Sequence, residues 1–267
     1  MQKVAVVTGV SSGIGQAAAQ LLSHLGYRTF GTVRNGSPSP PNIEQVHIEV
    51  RDSDSVAAGV ASILERAGRI DLLVNNAGAS IIGAGEETSA EEARELFETN
   101  LFGLMRMTQA VLPAMRAQRS GRIINIASVL GFMPAPYLSA YAATKHAVEG
   151  YSESLDHEVR RFGVRVLVVE PGFTRTNISR ENMASNTLPA YGDERTRVAL
   201  RVRDSIERGV EPSVIAEVVV RAARAKHPRL HYQAGRGARL LRILRSIAPA
   251  AVLDNGIRKQ FGLGAIS

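Results

Sequence analysis

The sequence predicts an α/β fold: a doubly wound parallel sheet with helices on both faces, forming one domain over residues 1–267. Three observations carry this. Apolar runs such as Val4-Ala5-Val6-Val7 and the segment from Val164 to Val169 are continuous rather than alternating, as in strands covered on both faces. Strand-like and helix-like segments alternate along the chain, the pattern of βαβ units. The first strand runs through a glycine-rich turn, Gly9-Val10-Ser11-Ser12-Gly13-Ile14-Gly15, straight into a helix-like segment.

The bulk numbers fit one domain. The chain has 267 residues, 45% apolar and 21% charged, enough to bury a large core without extended disorder. It contains no cysteine, which excludes disulfides, thiolate metal sites and a catalytic thiol and fits a reducing cytoplasm. Met1-Gln2-Lys3 leads directly into the first strand, without the longer apolar run of a signal peptide. No stretch approaches the ~18 uninterrupted apolar residues of a membrane span. The net charge of +7 is uneven: residues 221–267 hold ten Lys/Arg and one acid, Asp254, for +9, which leaves −2 for residues 1–220.

In chain order, residues 3–8 read as the first strand and Gln16 to Leu25 as the first helix. Glycines at 9, 13 and 15 permit a tight turn and close approach of a pyrophosphate, with free N–H groups of the helix N-terminus facing the anion. The spacing is Gly-x-x-x-Gly-x-Gly. Tyr27 to Val33 is the second strand. An acid near its end would bond a ribose 2′-hydroxyl, but none occurs from Gly26 to Asn42, and Arg34 occupies the place. A guanidinium suits a 2′-phosphate, so NADP(H) is expected over NAD(H). Gly36 to Pro41 forms a surface loop. Val46 to Val50 is the third strand, with Asp52 or Ser53 capping a helix from Asp54 to Ala67. Ile70 to Val74 is the fourth strand and ends at Asn75-Asn76-Ala77-Gly78. A long helical stretch, 89–118, contains Asn100 and Pro113. Ile123 to Ala127 is the fifth strand, ending at Ser128, and the sixth, Val164 to Val169, ends at Pro171-Gly172.

Tyr141 and Lys145 stand four positions apart, so on a helix both project from one face. An ammonium beside a phenol favours the phenolate, and the sequence therefore predicts a Tyr141 pKa lowered into usable acid/base range. Gly9–Gly15, Arg34, Asn75–Gly78, Ser128 and Pro171–Gly172 all fall at carboxyl ends of strands, where such sheets bind ligands.

These motifs, in this order and with Tyr141 thirteen positions after Ser128, resemble the short-chain dehydrogenase/reductase family, over Lys3 to about Gln233. The resemblance is to NADP-dependent steroid- or retinol-type members. It implies a Rossmann-like domain and an oxidoreductase acting on a CH–OH group, in a cytoplasmic homodimer or homotetramer with helices near 89–117 and 139–161 as interface candidates. Tyr141 would exchange the proton with the substrate oxygen. Lys145 would lower its pKa and hold the nicotinamide ribose, Ser128 would grip the substrate oxygen, and Asn100 would hold a water linking Lys145 to solvent. Gly9, Ser11, Ser12, Gly13, Ile14, Gly15, Arg34, Asn76, Ala77, Gly78, Tyr141, Lys145, Pro171, Gly172 and Thr174 would contact the cofactor, with Thr176 an alternative to Thr174. The family commonly has Asp where Glu49 stands, so either Glu49 or Asp52 would meet the adenine. No metal is expected.

The resemblance further places the uncharged segment Val129 to Leu138 beside the nicotinamide, which suits an apolar steroid-, retinoid- or lipid-like carbonyl or alcohol. It also makes residues 173–210, rich in arginine (Arg175, Arg180, Arg195, Arg197, Arg201, Arg203 and Arg208), a substrate lid. Residues 212–227 read as an amphipathic helix and Arg229 to Gln233 as a last strand. In the basic extension 234–267, Leu240, Leu241, Leu244, Ile247 and Ala248 fall at helical spacing, flanked by Arg239, Arg242 and Arg245. That helix packs on the body or on another subunit, or lies on an anionic membrane; packing is preferred because Pro249 cuts it short. A non-catalytic NADP(H)-binding regulator is the alternative to an enzyme. Nucleic-acid binding has no supporting motif.

Overall fold

The computed structural model describes residues 2–34, 40–178 and 183–264. Seven parallel strands form one sheet: β1 (Val4–Thr8), β2 (Arg28–Val33), β3 (Glu44–His47), β4 (Leu72–Asn75), β5 (Gly121–Ile126), β6 (Val164–Pro171) and β7 (His231–Ala234). Their order across the sheet is β3-β2-β1-β4-β5-β6-β7, so the winding reverses between β1 and β4. Period-two alternation divides the strand residues between two cores. Ala5, Val7, Leu72, Val74, Ile124 and Leu167 face α1 (Gly13–His24) and α7 (Pro212–Arg224). Val4, Val6, Phe30, Leu73, Ile123 and Val166 face α2 (Ser53–Ala67), α4 (Gly103–Ala117) and α5 (Ser139–Val159). Continuous apolar runs were legible as strands because both faces are covered.

Several boundaries differ from the sequence reading. The third strand is Glu44–His47 rather than 46–50. It pairs only with β2, Phe30 opposite Glu44 and Val33 opposite His47, and β2 ends there. Glu49 and Val50 turn into the helix cap, where Asp52 accepts bonds from Asp54 N and Ser55 N at 2.9 and 3.2 Å. The 89–118 stretch is not one α-helix. α3 (Ala90–Phe97) opens into a π-helical turn, Glu98–Phe102, before α4. Residues 173–210, expected as a polar segment, contain α6 (Gly192–Glu207), whose Val198, Val202 and Ile206 are buried. Buried Glu87 receives Leu188 N at 2.8 Å and pairs with Arg195, holding this segment to the body. The loop from Gly36 lies partly, and Arg180 wholly, outside the described residues.

The C-terminal segment forms α8 (Ala238–Ile247) and a second helix, α9 (Ala250–Phe261), absent from the sequence reading. Pro249 does end the first helix, but it then serves as N-cap of the next. Among the described residues, no helix is long and apolar enough to cross a membrane.

Candidate active site

A cleft of about 1390 Å³ opens along the carboxyl ends of the strands, across the point where the winding reverses. Gly9 and Gly13 adopt φ of +70° and +60°, which L side chains rarely take. Gly15 is required by space instead: a Cβ there would lie 2.3 Å from both Asn76 Nδ2 and Gly9 O. At the start of α1, Ser12 makes no side-chain cap, so the first-turn N–H groups have no such acceptor. Gly9, Ser11, Ser12, Gly13 and Ile14 line the cleft. Uncapped N–H groups behind a glycine turn fit a pyrophosphate.

Residues around this turn divide between lining and bracing. Asn76 Nδ2 bonds Thr8 O and Gly9 O at 2.9 and 3.1 Å, while Thr8 Oγ1 accepts from Asn76 N and Ala77 N. Asn76 thus fixes the shape of the turn with its side chain. Ala77 and Gly78 line the cleft with backbone. Arg34 is exposed on the wall at the end of β2 and makes no ion pair with any described residue. Glu49 also lines the cleft, whereas Asp52 is spent as the α2 cap. Of the two threonines, Thr174 bonds Gly172 O at 3.0 Å, while the Thr176 methyl would meet a Cβ on Gly13 at 3.2 Å. Both line the cleft, together with Pro171 and Gly172, but Thr176 is the one beside the glycine turn.

Further along, α5 presents Tyr141 and Lys145 on one face, opposite Ser128 at the end of β5. Ser128 Oγ accepts Leu130 N at 3.1 Å, which anchors the serine, and it hydrogen-bonds the Tyr141 hydroxyl. Lys145 Nζ lies 5.7 Å from the Tyr141 ring centroid and donates to Ile126 O at 2.9 Å. The expected lowering of the phenol is not what this environment produces. Burial pushes Tyr141 up to about 12, and the Ser128 bond only partly opposes it. Burial pushes Lys145 down to about 8, against the pull of Glu149. The reason is desolvation: Lys145 is 5% exposed, and a buried ammonium loses charge before it stabilises a phenolate.

Asn100 sits in the π-helical turn, a feature frequent at functional sites. Its Oδ1 accepts Ala79 N at 2.8 Å, and its Nδ2 donates to Ala79 O at 2.9 Å and Thr144 Oγ1 at 3.0 Å. The side chain therefore ties the loop after β4 to α5. Gly78 leaves room for this: a Cβ there would stand 3.2 Å from Asn100 Oδ1 and 3.9 Å from Lys145 Nζ.

Behind Lys145 lies a second polar cluster that sequence reasoning missed, because four separate elements assemble it. Glu149 stands one turn beyond Lys145 and is 6% exposed. His231 Nδ1 lies 3.2 Å from Glu149 Oε2 and 3.0 Å from Oε1 of fully buried Glu170, to which Arg242 also pairs at 3.0 Å. Despite the cost of burial, the two carboxylates raise His231 to about 9, so it is protonated at neutral pH. His231 Nε2 also lies 3.2 Å from Glu153 Oε1, so three carboxylates face two cations, and burial raises the Glu149 carboxyl above its ordinary range. Glu149, Glu170 and His231 could converge on a metal ion, but Arg242 and protonated His231 already supply the countercharge.

The apolar wall is built as the sequence suggested. Val129, Leu130, Met133 and Leu138 line the cleft. Facing them are Leu241, Leu244, Leu253 and Ile257 from α8 and α9, so the basic extension closes the site from the far side.

Comparison with known proteins agrees with this geometry. A family model described as short chain dehydrogenase matches residues 3–187. A 3-ketodihydrosphingosine reductase of Bacteroides thetaiotaomicron is 37% identical over 237 residues, covering 87% of this chain and 88% of the relative. A short-chain dehydrogenase structure from Streptomyces avermitilis superposes with a TM-score of 0.82 at 34% identity, covering 98% of each chain. A metagenomic short-chain oxidoreductase in complex with NADP gives a TM-score of 0.67 at 30% identity, covering 86% of this chain and 96% of the other.

Proposed function

The chain belongs to the short-chain dehydrogenase family and is an oxidoreductase of CH–OH groups, and on that premise we propose that it is NADP(H)-dependent and reduces an apolar ketone or aldehyde. The observation that carries this reading is the Ser128–Tyr141–Lys145 group at the floor of one continuous cleft with the glycine turn. NADPH, when bound, supplies the hydride.

The protein's own residues supply position and the proton. Ser11, Ser12, Gly13 and Ile14 hold the pyrophosphate, and Arg34 holds the 2′-phosphate. Glu49 would meet the adenine, and Thr176 with Thr174 would hold the phosphate end. Ser128 orients the substrate oxygen. Tyr141 is protonated at neutral pH, the form needed to donate a proton to developing oxyanion charge. Lys145 titrates near 8, so it can pass a proton onward at working pH. Asn100 positions α5 against the loop after β4.

The substrate's apolar part lies between Val129–Leu138 and the C-terminal helices, and residues 173–210 act as the lid. An apolar substrate is supported by this wall and by a relative named for reduction of a 3-keto compound. Two protomers would pair through α4 and α5. The test is NADPH consumption with steroid, retinoid and long-chain ketones, run in parallel with NADH. Cofactor binding without turnover of any of them would leave a regulator as the better reading.

A further inference from the structure

The two C-terminal helices bury one face and leave another, equally apolar, in water. Around α8, Leu241 and Leu244 turn into the cleft, while Leu240, Ile243 and Ile247 continue the same arc outward. Leu240 is 59% exposed, Ile243 46% and Ile247 73%, and Val252 on α9 adds a fourth at 60%. These are four of the nine large hydrophobic residues exposed among the described residues, gathered within thirteen positions of the chain. Leu240 and Val252 also line the cleft, so apolar surface runs unbroken from its interior to the outside.

Cations border this patch. Arg239 stands one turn before Ile243 and is exposed, as is Arg236, whereas exposed Arg245 stands one turn after the cleft-facing Leu241, on the other side of the helix. None of the three pairs with a described acid, in contrast to Arg242, which is held by Glu170. Residues 234–267, which form the two helices, hold six Lys/Arg against one acid, Asp254, for +5.

We infer that α8 and α9 dock on an anionic lipid surface, with Leu240, Ile243, Ile247 and Val252 in the acyl boundary and Arg236 and Arg239 among the headgroups. A second copy of the chain is disfavoured as the occupant, since it would bring the +5 of residues 234–267 against another +5. The cleft then opens toward the bilayer, and an apolar substrate enters without crossing water. The docking surface stands on exposure and charge alone. The delivery role rests on the apolar-substrate reading above.

The test is flotation of the full chain with phosphatidylcholine vesicles with and without phosphatidylglycerol. Binding is expected only with phosphatidylglycerol and falls as salt rises. Arg239→Gln should weaken it about five-fold. Ile243→Glu/Ile247→Glu should abolish it while keeping the thermal midpoint and the turnover of a small water-soluble ketone. Vesicle binding is read without activity, so absence of turnover in the wild type would overturn the proposed function and leave the docking result intact. No binding to phosphatidylglycerol vesicles, or binding unchanged in these variants, would overturn the inference. So would self-association lost in the Ile243/Ile247 variant without vesicle binding, which would assign the face to a second copy.

Discussion

Arg242 on α8 reaches Glu170 at the end of β6, Nη1 to Oε1 3.0 Å, and the same guanidinium lies 4.8 Å from the Phe132 ring centroid. Glu170 is fully buried, with His231 and Gln233 as its other partners at 3.0 and 2.5 Å. This pair ties the C-terminal wall of the cleft to the sheet. Replacing Arg242 by Gln leaves a buried carboxylate with one cation fewer. Because His231 and Gln233 remain, the expected cost is about 2 kcal/mol, less than for a buried carboxylate stripped of its cation altogether. KM for a long apolar substrate should rise more than KM for a small ketone, with kcat for the small ketone retained. Denaturant unfolding and paired kinetics check this; equal KM changes for both substrates would disconnect Arg242 from the pocket wall.

Tyr141→Phe removes the hydroxyl that Ser128 bonds and keeps the ring. Turnover should fall about 10²–10⁴-fold, the usual contribution of a positioned proton donor. The loss of one hydrogen bond should cost about 1 kcal/mol of stability. Near wild-type turnover in a folded variant would remove Tyr141 from the chemistry.

What the sequence made legible, and what it hid, follows from the range of the interactions involved. The strands were readable because burial on both faces leaves uninterrupted apolar runs, and the glycine turn because Gly9 and Gly13 need positive φ at fixed local spacing. The pairing of Tyr141 with Lys145 needed only helical geometry. The direction of the Tyr141 shift did not follow, because desolvation is set by how Ile82 after β4, α6 and Phe261 of α9 close around it, and no local spacing records that depth. Asn100 read as the holder of a water, yet its side chain braces backbone 21 positions away, and Asn76, read as a cofactor contact, lines the cleft while also bracing Gly9, 67 positions away. The Glu149–Glu170–His231–Arg242 cluster spans nearly a hundred positions and left no periodic trace. α9 was hidden by a proline that ends one helix and begins another.

Lys145 gives a prediction about stability with a definite sign. Burial depresses its pKa from 10.5 to about 8 in the folded chain. Below pH 8 the folded protein must hold a buried ammonium that the unfolded chain holds in water. The charge therefore opposes folding there, and the penalty fades as pH rises from 8 to 10.5. Lys145→Met should be more stable than wild type at pH 7 by on the order of 2–3 kcal/mol, reduced by the lost bond to Ile126 O. The advantage should vanish near pH 10.5, and turnover should be lost at every pH. Denaturant titrations at pH 7, 9 and 10.5 measure it. A variant less stable than wild type at pH 7 would mean that Lys145 holds the site together through its charge.

Arg34 carries the cofactor preference in the proposed function, and its setting allows a clean exchange. It is exposed at the end of β2, with no ion pair to a described residue, so replacing it disturbs no packing. Arg34→Asp puts a carboxylate where a ribose 2′-hydroxyl can donate to it and where a 2′-phosphate is repelled. The ratio of kcat/KM for NADPH over NADH should fall by at least about 100-fold, since both loss of a charge-assisted bond and new repulsion act on it. The thermal midpoint should stay within a degree or two, roughly the effect of an exposed substitution. Steady-state kinetics with both cofactors at one salt concentration provide the comparison. An unchanged ratio in a folded variant would mean that another group, such as Arg51, which also lines the cleft, reads the 2′ position.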